Sequence, residues 1–164
     1  MALREIREQG DPVLSKVSRE VTEFNGRLHQ LLDDMHDTVR EANGAGLAAP
    51  QVGVLRRVVI AIGDDGQFVE LINPVIKLQE GEQDGPEGCL SVPGVYGMVK
   101  RPDHVTVEAV DRYGKPFTVE GHGLSARAFC HETEHLDGHL FTERVTKILT
   151  DEELAAYYGG QDSE

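Results

Sequence analysis

The chain has 164 residues, 39% of them apolar and 27% charged, as in a single ordinary globular domain and unlike a low-complexity chain. A formal charge of −13, with no Lys/Arg cluster, argues against a nucleic-acid binder. No stretch nears the roughly 20 apolar residues of a membrane span and no signal-peptide core stands at the N-terminus, so a soluble, cytoplasmic protein is expected.

In chain order, Asp11-Pro12-Val13-Leu14 reads as a turn leading into an extended segment. Asn25 is a helix N-cap, and Leu28, Leu31, Leu32, Met35 and Val39 then mark one face of an amphipathic helix that Asn43-Gly44 ends. The Gly-rich stretch Gly44 to Gln51 follows it. Lacking a Lys and P-loop spacing, that stretch suits close approach of backbone to a substrate, with the Gln51 amide as donor. The middle is strand-like: Val58 to Ile62, a turn at Gly63 to Gly66, then Phe68 to Ile72, Val75 to Leu78, Tyr96 to Lys100, Val105 to Val110 and Phe117 to Val119. Asp111-Arg112-Tyr113-Gly114 is a hairpin turn. A second helix is expected from Leu124 or Ser125 to Leu136, stopped by Gly138, and a short one from Asp151 to Tyr158. Residues 159–164 form a polar tail expected to fray, leaving one domain over 1–158. The pattern predicts an α+β fold, with short, mostly antiparallel strands in small sheets around a central helix.

That helix carries His131-Glu132-Thr133-Glu134-His135. Residues four apart lie about 40° apart around a helix, so both imidazoles share one face and can bind one ion. Glu132 stands about 100° round from His131, beside the ion, where a general base belongs. Two histidines at this spacing, with Glu after the first, favour a metal site over ordinary hydrogen-bonded rings.

A catalytic tetrahedral site needs a third protein ligand. Position 141 is Phe, which excludes the metzincin pattern; Glu152 and Glu153 are the candidates for a distant carboxylate. Gly138 separates His139 from the helix, and Cys130 points about 100° away from His131 and reads as packing. Cys89 remains, in a Gly/Pro-rich turn; on its own it reads first as a small buried hydrophobe, which is what a free Cys most often is. A Cys89–Cys130 disulfide is disfavoured in a reducing compartment.

Taken together, Gly44-Ala45-Gly46-Leu47-Ala48-Ala49-Pro50-Gln51, Glu87-Gly88-Cys89-Leu90-Ser91 and His131 to Gly138 resemble, in order and separation, the three signature motifs of peptide deformylases. The resemblance covers roughly residues 5 to 145 and includes Asp11 to Leu14 and Arg101-Pro102. Cys130 stands where most members have Gln, Glu134 where Asp is common, and Ala45 where Ile or Val is usual. The small Ala45 loosens the side-chain pocket.

The resemblance implies removal of the formyl group from N-formylmethionine on nascent chains, releasing formate. It assigns the metal to Cys89, His131 and His135 and the acid/base to Glu132. The oxyanion falls to the Gln51 amide and the Leu90 backbone N–H. Gly44, Ala45, Gly46, Glu87 and Gly88 are expected to take the peptide as an added strand. Leu124, Ala128, His131 and Ala45 are expected around the methionine side chain. Iron(II) is the expected metal in the cell, with zinc or nickel able to replace it. Many bacterial members carry a long basic C-terminal helix resembling a ribosome-docking element; the short acidic tail here gives ribosome association little support. A Glu87–Arg101 pair is expected to brace the Cys89 turn. An endopeptidase using Glu152 or Glu153, or a metal-binding domain without turnover, are the competing readings.

Overall fold

A computed structural model describes residues 2–162, and side chains as far as residue 159. Helix α1 spans Gly26–Glu41, and Asn25 caps it by accepting from the Leu28 N–H at 3.2 Å, worth about 1 kcal/mol. Leu32, Met35 and Val39 on its apolar face are fully buried, each contributing roughly 1.5–3 kcal/mol. They pack against Leu47, Val58, Ile60 and Ile72 of a five-stranded antiparallel sheet.

That sheet is ordered β1-β2-β3-β6-β7, from β1 (Gly46–Ala48), β2 (Val58–Ile62), β3 (Phe68–Glu80), β6 (His104–Val110) and β7 (Pro116–His122). A smaller sheet is ordered β4-β5-β8, from β4 (Gln83–Cys89), β5 (Val92–Arg101) and β8 (Lys147–Leu149). Helix α2 (Leu124–His135) lies between them, with Ala126, Phe129 and Leu136 buried against Val59, Ala61, Leu71, Val105 and Val107. The expected α+β fold around a central helix is what the chain forms, and no helix of the described residues is long and apolar enough to cross a membrane.

Several boundaries differ from the sequence reading. The two strands expected at Phe68 to Ile72 and Val75 to Leu78 are one strand, β3, with a register shift between Ile72 and Val75. Asn73 makes the bulge at φ 53°, and its side chain both accepts from and donates to the backbone of Val21. Pro12–Ser15 is a short 3-10 helix rather than a plain turn, capped by Asp11. Strands β1, β4 and β8 were not expected. The C-terminal helix α3 runs Asp151–Asp162, past Tyr158; the tail expected to fray is thus helical to Asp162, and 163–164 lie outside the described residues.

Candidate active site

Helix α2 supplies two imidazoles and the end of β4 supplies a thiol. Cys89 Sγ lies 3.5 Å from His135 Nε2, and the donor atoms of Cys89, His131 and His135 all lie within 4.8 Å of one another. Metal–sulfur and metal–nitrogen bonds of about 2.3 and 2.0 Å at a tetrahedral angle set their donors about 3.5 Å apart, so the spacing fits one ion. Both cysteines are free thiols.

The histidine pair follows from helix geometry, whereas Cys89 reaches it through a break in strand pairing. The β4–β5 register shifts between Glu87 and Cys89, and Cys89 pairs with Val92 across a tight turn. Gly88 leaves room for the Tyr96 ring beside this turn: a Cβ there would stand 2.5 Å from it.

Glu87 locks the arrangement from behind. Its Oε1 accepts from His131 Nδ1 and Arg101 Nη2, both at 2.9 Å; Oε2 accepts from Arg101 Nε at 2.8 Å and Arg127 Nη1 at 2.7 Å. With Nδ1–H committed to a carboxylate, the lone pair of His131 sits on Nε2, the tautomer a metal ligand needs. Burial alone would raise the Glu87 carboxyl, but Arg101 and His131 outweigh it and hold Glu87 ionised far below the usual carboxylate range. Arg101 also bonds Glu134, three residues after His131 on α2. The expected Glu87–Arg101 pair is therefore present, as one edge of a larger network.

Glu132 is buried beside the donors, its Oε1 4.0 Å from His135 Nε2 and without a hydrogen-bond partner among the described residues. Burial pushes its carboxyl up to about 7, against the pull of His131. A buried carboxylate oxygen left unpaired is costly, and a polar reactant or an ion-held water is what satisfies it. Gly46 lets β1 pass this close, since a Cβ there would meet Glu132 Oε2 at 2.7 Å.

These groups open into a cavity of about 470 Å³. Of the residues singled out from sequence, Gly44, Ala45, Gly46, Gln51, Glu87, Gly88, Cys89, Leu90, Leu124, Ala128, His131 and Glu132 line it, with His135 behind them. Gln51 is buried; its Oε1 accepts from the Ala48 N–H at 2.9 Å, and its Nε2 faces Ser91 Oγ at 3.1 Å and Cys89 Sγ at 3.5 Å. Leu124 is 60% exposed and forms rim rather than inner wall. Strands β1 and β4 are edge strands of their sheets, so their unpaired backbone flanks the cavity.

The competing third ligands lie elsewhere. Glu153 is engaged by Lys147 and by the Thr150 N–H, His139 pairs with Glu143 on the surface, and Cys130 lines a separate cavity with Arg101 and Glu134. Glu152 is exposed and belongs to no metal-competent group among the described residues. Sequence reasoning missed Arg127, Tyr96 and Tyr158 on the cavity wall. Arg127 was within reach: it stands four residues before His131, on the same helix face.

Known proteins resemble this chain over most of its length. The family model described as polypeptide deformylase matches residues 3–150. A peptide deformylase of Acetivibrio thermocellus is 56% identical over 94% of this chain and 90% of its own. A crystal structure of a peptide deformylase from Legionella pneumophila superposes with a TM-score of 0.83 at 38% identity, covering 99% of both chains. A Met-Ala-Ser-bound class I type b peptide deformylase from Acinetobacter baumannii gives a TM-score of 0.83 at 33% identity, covering 88% of this chain and 99% of its own. With matches of this extent, the chain belongs to the peptide deformylase family.

Proposed function

We propose that the chain hydrolyses the formyl group from N-formylmethionyl peptides and nascent chains, with Cys89, His131 and His135 holding a divalent metal ion. The observation that carries the reading is the convergence of one thiol and two imidazoles within 4.8 Å beside a buried, unpaired Glu132 oxygen. A soft thiolate with two imidazoles suits iron(II), zinc or nickel, and iron(II) is the ion we assign in the cell. Such an ion supplies Lewis acidity to water and to the formyl oxygen.

The protein's own groups do the rest. Glu132 takes a proton from the attacking water and returns it to the leaving amine nitrogen. The Gln51 Nε2–H and the Leu90 backbone N–H hold the developing negative oxygen; one such donor is typically worth about 3 kcal/mol. Glu87 orients His131. The peptide main chain adds to the β1 and β4 edges, which reads little of its sequence and suits varied substrates. Ala45, Leu124 and Ala128 surround the first side chain, as methionine requires. The Met-Ala-Ser peptide of the Acinetobacter relative is the chemistry expected here on product release. A cytoplasmic location suits a substrate that emerges during translation; helix α3 opens with the acidic Asp151, Glu152 and Glu153, which does not favour docking of that helix on RNA.

The test is formate release from formyl-Met-Ala-Ser by metal-loaded protein, with and without chelator. Release abolished by the chelator and restored by iron(II) is the expected result. Glu132→Gln should keep its metal and lose about 10²–10⁴-fold in rate. Full activity in that variant, or no formate from the wild type, would overturn the reading.

A further inference from the structure

One wall of the cavity comes from a segment beyond the residues matched by the family model. Helix α3 begins at Asp151, and Tyr158 lines the same cavity as Gln51, Cys89 and Glu132. The helix is pinned at its start by a reciprocal cap: the Thr150 N–H donates to Glu153 Oε1 at 3.2 Å, and the Glu153 N–H to Thr150 Oγ1 at 3.1 Å. Glu153 Oε2 also meets Lys147 Nζ of β8 at 2.6 Å, tying helix to sheet.

One turn further, α3 reaches the pocket end that faces Arg127. A Cβ on Gly85 would lie 3.7 Å from the Tyr157 hydroxyl and 3.1 Å from Arg127 Nη2, so Tyr157, Arg127 and β4 meet at that point. Tyr157 and Tyr158 pack edge to face at 5.6 Å. Arg127, Ala128, Leu124 and His131 share one stretch of helix, the stretch assigned above to the first side chain. Tyr158 is 48% exposed there, an aromatic face with little covering it.

We infer that Tyr158 is a specificity residue, forming the outer wall of the subsite for the first side chain and favouring a long, unbranched apolar group such as a thioether. This rests on the deformylase reading above. Ala45 adds little bulk to the same cavity, to which α3 contributes an aromatic ring. Sulfur–ring contact is worth a factor of about two to ten in affinity.

The experiment is steady-state kinetics of the metal-loaded, full-length protein on formyl-Met-Ala-Ser. Tyr158→Ala should raise KM about two- to tenfold and leave kcat unchanged, because the ring touches substrate away from the reacting atoms. Tyr158→Phe should match the wild type, since the ring and not the hydroxyl makes the contact. An unchanged KM in Tyr158→Ala would overturn the subsite while leaving the deformylase reading intact. A loss confined to kcat would also overturn it, by showing a structural role. No formate from the wild type would remove both.

Discussion

Two glutamates in this fold are built alike and serve different ends. Glu70 of β3 accepts from His36 of α1 at 2.8 Å and from Arg112 Nη2 at 2.6 Å and Nε at 3.0 Å. Glu87 of β4 accepts from His131 of α2, Arg101 and Arg127. Each is a strand carboxylate that joins a helix histidine to arginine. The Glu70 side chain keeps 20% of its surface exposed and clamps α1 to the sheet; that of Glu87 keeps 4%, and its histidine faces a thiol and a second imidazole. The same chemistry is a surface fastener in one place and, on the function proposed above, a ligand-orienting device in the other. Burial and the neighbours of the histidine decide which.

Removing Arg101 should show the largest difference between the two. It would leave buried Glu87 with only Arg127 and His131, and half-buried Glu134 with only Arg144; breaking a buried pair costs up to about 3–5 kcal/mol. Arg101→Ala with unchanged urea stability would mean that the network does not brace the turn. Next in size, Glu87→Gln should weaken metal affinity about 10–100-fold, the usual effect of removing a ligand's orienting partner. Glu70→Gln should leave metal affinity untouched, and equal effects in a competitive chelator titration would erase the distinction.

The smallest effect is one of pH. Burial raises the Glu70 carboxyl, but His36 and Arg112 outweigh it and lower it to about 2 from an ordinary 4.5. A carboxyl depressed on folding contributes stability that is fully present above the unfolded value and is lost as pH falls through the folded one. Stability should therefore drop between pH 4.5 and 2. Glu70→Gln should flatten that stretch of the unfolding curve; an identical slope would contradict the assignment.

The helices and both imidazoles were legible because their signals are local. Leu28 to Val39 and His131 to His135 write their faces into short spacings, and Asn25 announces its own cap. Strand β4 was not, because Gln83-Asp84-Gly85-Pro86-Glu87 has no alternating apolar pattern and becomes a strand only by pairing with β5. Strands β1 and β8 have three residues each, too few to show a period. The position of Cys89 is a tertiary fact, set by the bulge after Glu87 and by two arginines from other elements. Only three motifs read together could indicate it. Tyr158 carried no signal, since nothing in a polar C-terminal stretch says which cavity it meets.

We propose that a thiol on β4 joins two imidazoles on α2 around one ion, and metal analysis of anaerobically purified wild type and Cys89→Ala is the decisive experiment. One equivalent of metal is expected in the wild type, with loss of both metal and formate release in the variant. Full metal occupancy with undiminished activity in Cys89→Ala would contradict it.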